Sequence, residues 1–377
     1  MKKCIIISDS FKGTLSSLEI CEIAGKCLAR RFPGCEAVKI PVADGGEGTA
    51  SCFREACGGE WVPVTVQGPF GDPVTASYLL LPEGRAVLEM AAAAGLPLAE
   101  GRLDPGKAST YGVGQLIRHA IEHGAKDILL GLGGSCTNDG GCGCAAALGA
   151  VFTRADGSAF LPTGDTLDQI ADITVPSLPE GVSITAMCDI DNPLCGPQGA
   201  AYVFAPQKGA DEAAVERLDQ NLRALDAVFA ARLGRFVADV PGAGAAGGFG
   251  GGLLALFGAE LRPGIEAVLD LVGFDRLLEG CEAVFTGEGR LDSQSLRGKV
   301  ISGVARRARR RGVPVIVIAG SVAPELEPVC EDPESGIAAV FSINRQAVDF
   351  SVSRLSSREN YAYTFDNILR IMSLGQA

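Results

Sequence analysis

The chain has 377 residues, which is more than one hydrophobic core usually supports, so two domains are expected. With 47% hydrophobic and 21% charged residues, its composition is that of a globular enzyme and excludes a disordered chain. The net charge of −12 argues against nucleic acid or an anionic membrane surface as a main partner, although a few local Lys and Arg residues would serve a small anionic substrate.

A strand–helix–strand unit opens the chain. Strands are predicted at residues 4–8 and 38–42, with a helix from about Ser17 to Arg31 between them. A polar loop follows each strand, at Asp9–Thr14 and at Asp44–Gly48. Open α/β sheets bind ligands at the carboxyl ends of their strands, so both loops are candidate parts of a site.

The alternation of helices and strands is interrupted twice farther along the chain. Residues 61–89 read as antiparallel strands around turns, after which α/β signals resume with a helix near residues 111–123 and a strand at residues 127–132. Residues 151–270 interrupt the alternation again, and strands and helices return from residue 283 onward.

This order predicts an α/β fold with two domains. One is a doubly wound parallel sheet of the flavodoxin or Rossmann type, built from residues 1–58, 105–150 and 275–377. The other is an α+β domain inserted discontinuously as residues 59–104 and 151–274, and an active-site cleft is expected between the two domains.

The sharpest motif runs from Gly131 to Gly141, where a predicted strand passes into a helix of small residues. Free backbone amides and hydroxyl groups at the start of such a helix bind anions. The alternative is a tight turn in which Asn138 or Asp139 caps the helix. Because the motif holds more polar groups than a cap needs, we expect a phosphate site formed by Gly133, Gly134, Ser135, Thr137 and Asn138.

Acidic side chains recur in the glycine-rich loops. Asp44 and Glu47 lie in one of them, and Asp139 lies in the motif described above. Mg²⁺ in proteins usually takes one or two carboxylates together with phosphate oxygens, so any of the three is a candidate metal ligand. The alternative for Asp44 and Glu47 is a helix start at which acids complement the helix dipole.

Two further loops carry basic residues beside acidic ones. Lys12 follows Asp9 and Ser10 after the first strand, and it is a candidate partner for a phosphate or a carboxylate, although a surface lysine needs no special explanation. Glu288 and Arg290 lie in a loop after the strand at residues 283–286, which resembles another phosphate or substrate loop.

Asp189, Asp191 and Lys208 are candidate catalytic residues in the inserted domain. Phosphoryl transfer needs a carboxylate that positions and deprotonates the acceptor hydroxyl group. The alternative for the two acids is an Asx turn before Pro193. The segment Gly242–Gly247 matches G-x-G-x-x-G, but no convincing strand–helix–strand unit surrounds it, so a hinge or substrate loop is the better interpretation.

Several other classes of protein lack support. The chain has no P-loop motif, no protein-kinase motif set and no G-x-S-x-G elbow. Its 13 cysteines follow no regular framework, the first residues do not read as a signal peptide, and no apolar run approaches 18 residues. We therefore expect reduced thiols and a cytoplasmic location.

Taken in order, these motifs resemble the type-1 (bacterial) glycerate kinase family, from residue 9 to about residue 299. Small departures from the family pattern are Ser8, Cys136 and Phe249, and none removes a candidate catalytic group. The resemblance implies ATP-dependent phosphorylation of D-glycerate to 2-phosphoglycerate with Mg²⁺. It also implies a flavodoxin-like first domain.

On this basis we expect each candidate to have a distinct role. ATP phosphates would lie on the amides of the glycine-rich motif, with Glu288 also near the nucleotide, and Asp139 and Asp44 or Glu47 near Mg²⁺. The acceptor would contact Asp9, Ser10, Lys12 and Arg290. Its carboxylate would be held by Lys12 or Arg290. Asp189 or Asp191 would orient the hydroxyl group, and Lys208 would stabilise charge.

Two alternatives stay open at this point. One is a kinase of another small hydroxy acid, and the other is a non-catalytic protein that binds a nucleotide or a sugar acid. The oligomeric state is also open, with a homodimer as one option.

Overall fold

The structure is a computed structural model that describes residues 1–42, 48–293, 295 and 299–374. The strands have the following bounds: β1 Lys3–Ser8, β2 Glu36–Pro41, β3 Glu60–Gln67, β4 Pro73–Leu81, β5 Arg85–Glu89, β6 Asp127–Gly131, β7 Val151–Thr153, β8 Ala159–Phe160, β9 Asp172–Thr174, β10 Ser183–Met187, β11 Glu260–Arg262, β12 Ala283–Leu291, β13 Val315–Val322 and β14 Ile337–Ser342.

The helices have the following bounds: α1 Ser17–Arg31, α2 Thr49–Cys57, α3 Ala91–Ala94, α4 Tyr111–Glu122, α5 Cys142–Ala147, α6 Ala200–Phe204, α7 Glu212–Leu233, α8 Ala245–Gly252, α9 Gly264–Leu271, α10 Phe274–Leu277, α11 Val300–Arg310, α12 Phe350–Ser353 and α13 Ser357–Leu374. Within the described residues, no helix has the length and apolar character needed to cross a membrane.

The first of two compact units consists of Met1–Ala43, Glu55–Cys57 and Ile265–Ala377. Its five strands are all parallel, in the order β14-β13-β12-β1-β2. This is the flavodoxin-like order, in which the direction of winding reverses between β1 and β12. The predicted doubly wound sheet is therefore confirmed.

An apolar layer between the sheet and two helices forms the core of the first unit. Ile6 of β1 and Phe285 of β12 belong to the same buried cluster as Ile20 and Leu28 of α1 and Phe365 of α13. The continuous apolar run of β1 explains why it is a central strand, because such a strand is buried on both faces.

The second unit consists of Asp44–Arg54 and Gly58–Gly264. Its main sheet has six strands in the order β11-β10-β6-β5-β4-β3, of which β5, β6, β10 and β11 are parallel to one another. Strands β3 and β4 are antiparallel, as predicted, and a small antiparallel sheet has the order β8-β7-β9.

The position of residues 105–150 differs from the predicted domain boundaries. These residues were expected in the doubly wound domain, but β6 pairs with β5 and β10, and the segment lies in the second unit. The second unit thus has a largely parallel sheet of its own. A buried apolar strand such as Asp127–Gly131 suits either parallel sheet, so its sequence pattern does not distinguish between them.

Candidate active site

Strands β6 and β10 of the second unit bring the predicted phosphate loop and Asp189 together. The two strands are parallel neighbours, with Gly131 opposite Met187. The loops that follow them therefore leave the same edge of the sheet. One loop contains residues 133–139, and the other begins with Cys188 and Asp189.

Backbone hydrogen bonds hold the glycine-rich loop against the segment around α3. The amide of Leu96 donates to the carbonyl oxygen of Gly134 at 2.9 Å, and the amide of Cys136 donates to that of Ala94 at 3.0 Å. Gly134 has a φ of +73°, which a residue with a Cβ atom rarely adopts. The conformation of the loop is therefore fixed by the left-handed backbone of Gly134 and by the hydrogen bonds to the segment around α3.

Lys208 lies beneath this loop. Its side chain is only 2% exposed, and its ammonium group donates to the hydroxyl oxygen of Ser135 at 2.8 Å and to the carbonyl oxygen of Thr137 at 2.7 Å. Burial lowers the pKa of Lys208 to about 8, because the low-dielectric interior disfavours the charged form. Lys208 is thus a buried amine whose charge changes close to neutral pH.

A cavity of about 330 Å³ joins these groups within the second unit. Its polar wall contains Gly133, Gly134, Ser135, Asp189 and Lys208, all five predicted as site residues. The remaining lining residues are mostly apolar: Leu96, Leu132, Met187, Cys188, Ile190, Phe204, Gln207, Ala245 and Ala246. This volume lies at the lower end of the range for small-molecule sites.

The two candidate bases differ in position. Asp189 lines the cavity, and one of its carboxylate oxygens accepts a hydrogen bond from the amide of Gly264 at 2.7 Å. Both acids are exposed, but Asp191 is not among the lining residues of this cavity. Of the two, Asp189 is therefore the one beside Lys208 and the glycine-rich loop.

Thr137 and Asn138 have buried polar side-chain atoms without hydrogen-bond partners among the described residues. Both residues are fully buried, and Thr137 Oγ1, Asn138 Oδ1 and Asn138 Nδ2 have no hydrogen-bond partner among the described residues. A buried polar atom without a partner costs about 1–3 kcal/mol, so these atoms are suited to a ligand or to ordered water.

Asp139 holds the loop together from inside. Its carboxylate is fully buried and accepts four hydrogen bonds: from the amide and hydroxyl group of Thr110, both at 2.8 Å, and from the amides of Gly141 at 3.1 Å and Gly143 at 3.2 Å. Burial raises its pKa, and the four donors oppose that shift. This arrangement favours a structural role for Asp139 over the predicted metal ligation.

Substitution of Asp139 by asparagine is expected to lower the free energy of unfolding by about 2–4 kcal/mol, because an amide cannot accept from all four donors. Urea denaturation measures this loss, with the exposed Asp168→Asn as the matched control. Unchanged stability together with weaker Mg²⁺ binding would instead assign Asp139 to the metal.

The carboxyl edge of the sheet in the first unit carries the other predicted residues. Asp9, Ser10 and Lys12 follow β1, while Glu288 and Arg290 lie at the end of β12, and the winding reverses between these two strands. The amide of Asp9 donates to the carbonyl oxygen of Gly287 at 2.9 Å, which joins the two segments. Such reversal points are where sheets of this class bind ligands.

Glu288 is the buried acid of this edge. It is 8% exposed, and its Oε1 atom has no hydrogen-bond partner among the described residues. Burial raises its pKa; Asp9 and Asp292 add to the shift, whereas a hydrogen bond with Ser295 and the charge of Lys299 oppose it. A carboxyl group beside two other acids suits hydroxyl groups better than phosphate oxygens.

Asp44 and Glu47, two of the predicted metal ligands, lie outside the described residues. The residues that follow them are held by Glu89, whose carboxylate accepts from the amides of Gly48 at 3.3 Å and Ala50 at 2.7 Å. Sequence reasoning missed Glu89, although an acid that ends an apolar strand is a detectable signal. The part of the chain that the structure describes contains no cluster of three or more His, Cys, Asp or Glu residues suited to a metal ion.

Comparison with known proteins decides the family. The model of the glycerate kinase family matches residues 4–373. The chain belongs to the glycerate kinase family. It is therefore an enzyme of the phosphotransferase class with an alcohol group as acceptor, and the resemblance seen in the sequence is confirmed.

Individual glycerate kinases match over nearly their whole length. The glycerate kinase of Bacillus cereus is 41% identical, with 99% of this chain and 98% of that protein covered. The glycerate 2-kinase of Escherichia coli K12 is also 41% identical, with the same two coverages of 99% and 98%. A crystal structure assigned to glycerate kinase 2 of Salmonella typhimurium LT2 matches with a TM-score of 0.86 at 40% identity and covers 100% of this chain and 99% of that one.

Proposed function

We propose that the chain transfers the γ-phosphoryl group of ATP to the 2-hydroxyl group of D-glycerate, giving 2-phosphoglycerate. The observation that carries this proposal is the cavity that combines a glycine-rich loop, Asp189 and the buried ammonium group of Lys208. The name of the Escherichia coli relative, glycerate 2-kinase, supports the choice of hydroxyl group.

The phosphates of ATP are proposed to bind at Gly133–Asn138. Backbone amides approach an anion closely in a loop of this kind, and the unpaired side-chain atoms of Thr137 and Asn138 add further polar groups. Lys208 contributes a positive charge from beneath the loop and orients the hydroxyl group of Ser135 through its hydrogen bond. A preorganised charge of this type stabilises the negative charge of the transferring group.

Asp189 is proposed to accept the proton of the 2-hydroxyl group as the acceptor oxygen attacks the γ-phosphorus of ATP and the bond from that phosphorus to the oxygen of the leaving ADP breaks. It lines the same cavity as Lys208, and its hydrogen bond from the Gly264 amide holds one carboxylate oxygen in place. Lys12 and Arg290 stay predicted partners of the acceptor's carboxylate, and Asp9 and Ser10 stay predicted substrate contacts.

Mg²⁺ is proposed to accompany ATP and to neutralise charge on its phosphates. Asp44 and Glu47 are the proposed protein ligands on the basis of their sequence pattern. The four donors around Asp139 make that residue a poorer candidate, because its lone pairs are already engaged.

A direct assay separates this proposal from its alternatives. ADP release is measured with ATP, Mg²⁺ and each of D-glycerate, tartronate, lactate and a set of sugar acids. The proposal expects D-glycerate to give the highest kcat/KM. A different preferred hydroxy acid would change the substrate, and ligand-dependent shifts in Tm without any ADP release would indicate a binding protein instead.

The activity is expected to fall as the pH rises through about 8, because the pKa of Lys208 is lowered to about 8 and its charge is lost above that pH. Above this point, kcat/KM should decrease about tenfold per pH unit. Direct quantification of ADP between pH 6.5 and 9.5 tests this, and a flat profile would contradict the proposed role.

Titration of Lys208 does not itself destabilise the folded chain over this pH range. The unfolded chain, with the ordinary lysine pKa, binds more protons than the folded chain between about pH 8 and 10.5. The contribution of Lys208 to folding stability therefore increases with pH in that interval. Measurement of Tm across the same pH series provides the control.

A further inference from the structure

Ala246 adopts a backbone conformation that is costly for any residue with a Cβ atom. Its φ is +53°, and Gly247 and Gly248 continue the left-handed run with φ values of +70° and +84°. The only other described residue besides glycine with a positive φ is Glu83, in the turn before β5. Seven of the residues from 242 to 252 are glycine, yet this left-handed position holds alanine.

Close packing explains the two glycines that follow. A Cβ atom on Gly247 would lie 2.1 Å from the carbonyl oxygen of Thr137, and one on Gly248 would lie 2.8 Å from a side-chain carbon of Leu222. At position 246 a Cβ atom is present, and the residue is only 8% exposed. Position 246 therefore has both a strained backbone and a buried methyl group.

The same residue lines the cavity that contains Asp189, Lys208 and Ser135. Strained backbone conformations persist only where the surrounding structure holds them, and they are concentrated at functional sites. A glycine at this position would remove both the strain and the methyl group. The chain thus keeps a side chain where glycine would be less strained, and it does so in the wall of the candidate site.

We propose that the methyl group of Ala246 limits the size of the acceptor, so that a three-carbon hydroxy acid is preferred over longer ones. This inference rests on the proposed function. The reacting hydroxyl group must come within hydrogen-bonding distance of the proposed base, Asp189, so the acceptor occupies the cavity that Ala246 lines. One methyl or methylene group in a pocket changes discrimination about 10- to 200-fold.

The test is the substitution Ala246→Gly, assayed with D-glycerate and with D-erythronate, which is one carbon longer. The ratio of kcat/KM for D-erythronate to kcat/KM for D-glycerate is expected to rise about tenfold relative to the unmodified enzyme. The ATP-to-GTP ratio of kcat/KM is measured beside it and is expected to stay within about twofold.

Glu83→Gly is the matched control, because it removes the other left-handed non-glycine residue at a position that does not line this cavity. It should leave the acceptor ratio unchanged. If Ala246→Gly lowers Tm with no change in the acceptor ratio, the methyl group serves core packing only and the inference is overturned.

A change in the ATP-to-GTP ratio alone would assign Ala246 to the nucleotide and would also overturn the inference. Failure of this inference is distinguishable from failure of the proposed function. If the unmodified chain transfers no phosphoryl group from ATP to D-glycerate, the proposed function and the inference are both contradicted. If it does transfer the group and the acceptor ratio of Ala246→Gly is unchanged, only the inference is contradicted.

Discussion

Replacement of Lys208 by methionine is expected to lower kcat about 10²- to 10³-fold, which is the usual cost of removing one preorganised group that stabilises charge in a transition state. Methionine preserves most of the length of the side chain and removes its charge. The loss should be seen in steady-state kinetics with D-glycerate and ATP at pH 7.

Stability is expected to move in the opposite direction. Burial lowers the pKa of Lys208, so its ammonium group disfavours the folded state at neutral pH, and an apolar side chain of similar size removes that cost. Lys208→Met should therefore unfold at an equal or higher Tm than the unmodified chain. Lys107→Met is the matched control, because the side chain of Lys107 is 73% exposed. This substitution should leave both kcat and Tm unchanged.

A normal kcat in Lys208→Met would contradict the role proposed for this residue. A loss of kcat together with a large drop in Tm would indicate that Lys208 holds the loop through Ser135 and Thr137, not that it stabilises charge. The two readouts therefore separate chemistry from folding.

Asp189→Asn is expected to lower kcat about 10²- to 10⁴-fold, because asparagine cannot accept the proton of the acceptor hydroxyl group. The amide oxygen of asparagine can still accept the hydrogen bond from Gly264, so the fold should be preserved. Initial rates at saturating ATP measure the effect, and Tm verifies that the variant is folded.

Asp191→Asn provides the internal comparison. Asp191 lies two residues away and is exposed like Asp189, but it does not line the cavity. Its variant should therefore keep kcat within about twofold. The reverse result, with Asp191→Asn inactive and Asp189→Asn active, would transfer the proposed role to Asp191. Near-normal kcat in both variants would exclude a base in this segment.

The first unit follows its sequence signals closely. Helix α1 covers Ser17–Arg31 as predicted, and the apolar run of β1 is a central strand of a parallel sheet. These signals are local, since periodicity and a short apolar run depend on neighbouring residues alone. The polar residues after β1 were also detectable, because chain order predicts that loops follow strands. Glu288 and Arg290 were expected in a loop after residue 286, but β12 continues to Leu291 and includes both of them.

The second unit shows what local patterns cannot predict. The strand at Asp127–Gly131 was correctly recognised as a strand but was expected in the other domain, because pairing between distant segments decides which sheet it joins. The inserted segments form a mixed sheet with β6 at its centre. Hydrophobicity indicates that a strand is buried and does not name its neighbours.

The candidate site was partly predictable for the same reason. The glycine-rich loop and Asp189 were identified by residue type and position after strands, and Lys208 was identified by its residue type in a short polar segment. Tertiary packing brings Asp189, but not Asp191, to the cavity, and it gives Asp139 its four hydrogen-bond donors. The left-handed conformation of Ala246 has no sequence signal, because alanine rarely adopts it.

The most direct measurement of the central claim is ³¹P NMR of the product formed from ATP and D-glycerate by the purified chain. Phosphoryl transfer to the 2-hydroxyl group predicts a doublet from coupling of phosphorus to the single proton on C2. Transfer to the 3-hydroxyl group would give coupling to two protons and would contradict the proposed position. Formation of inorganic phosphate alone, with no organic phosphate, would contradict the proposed kinase activity itself.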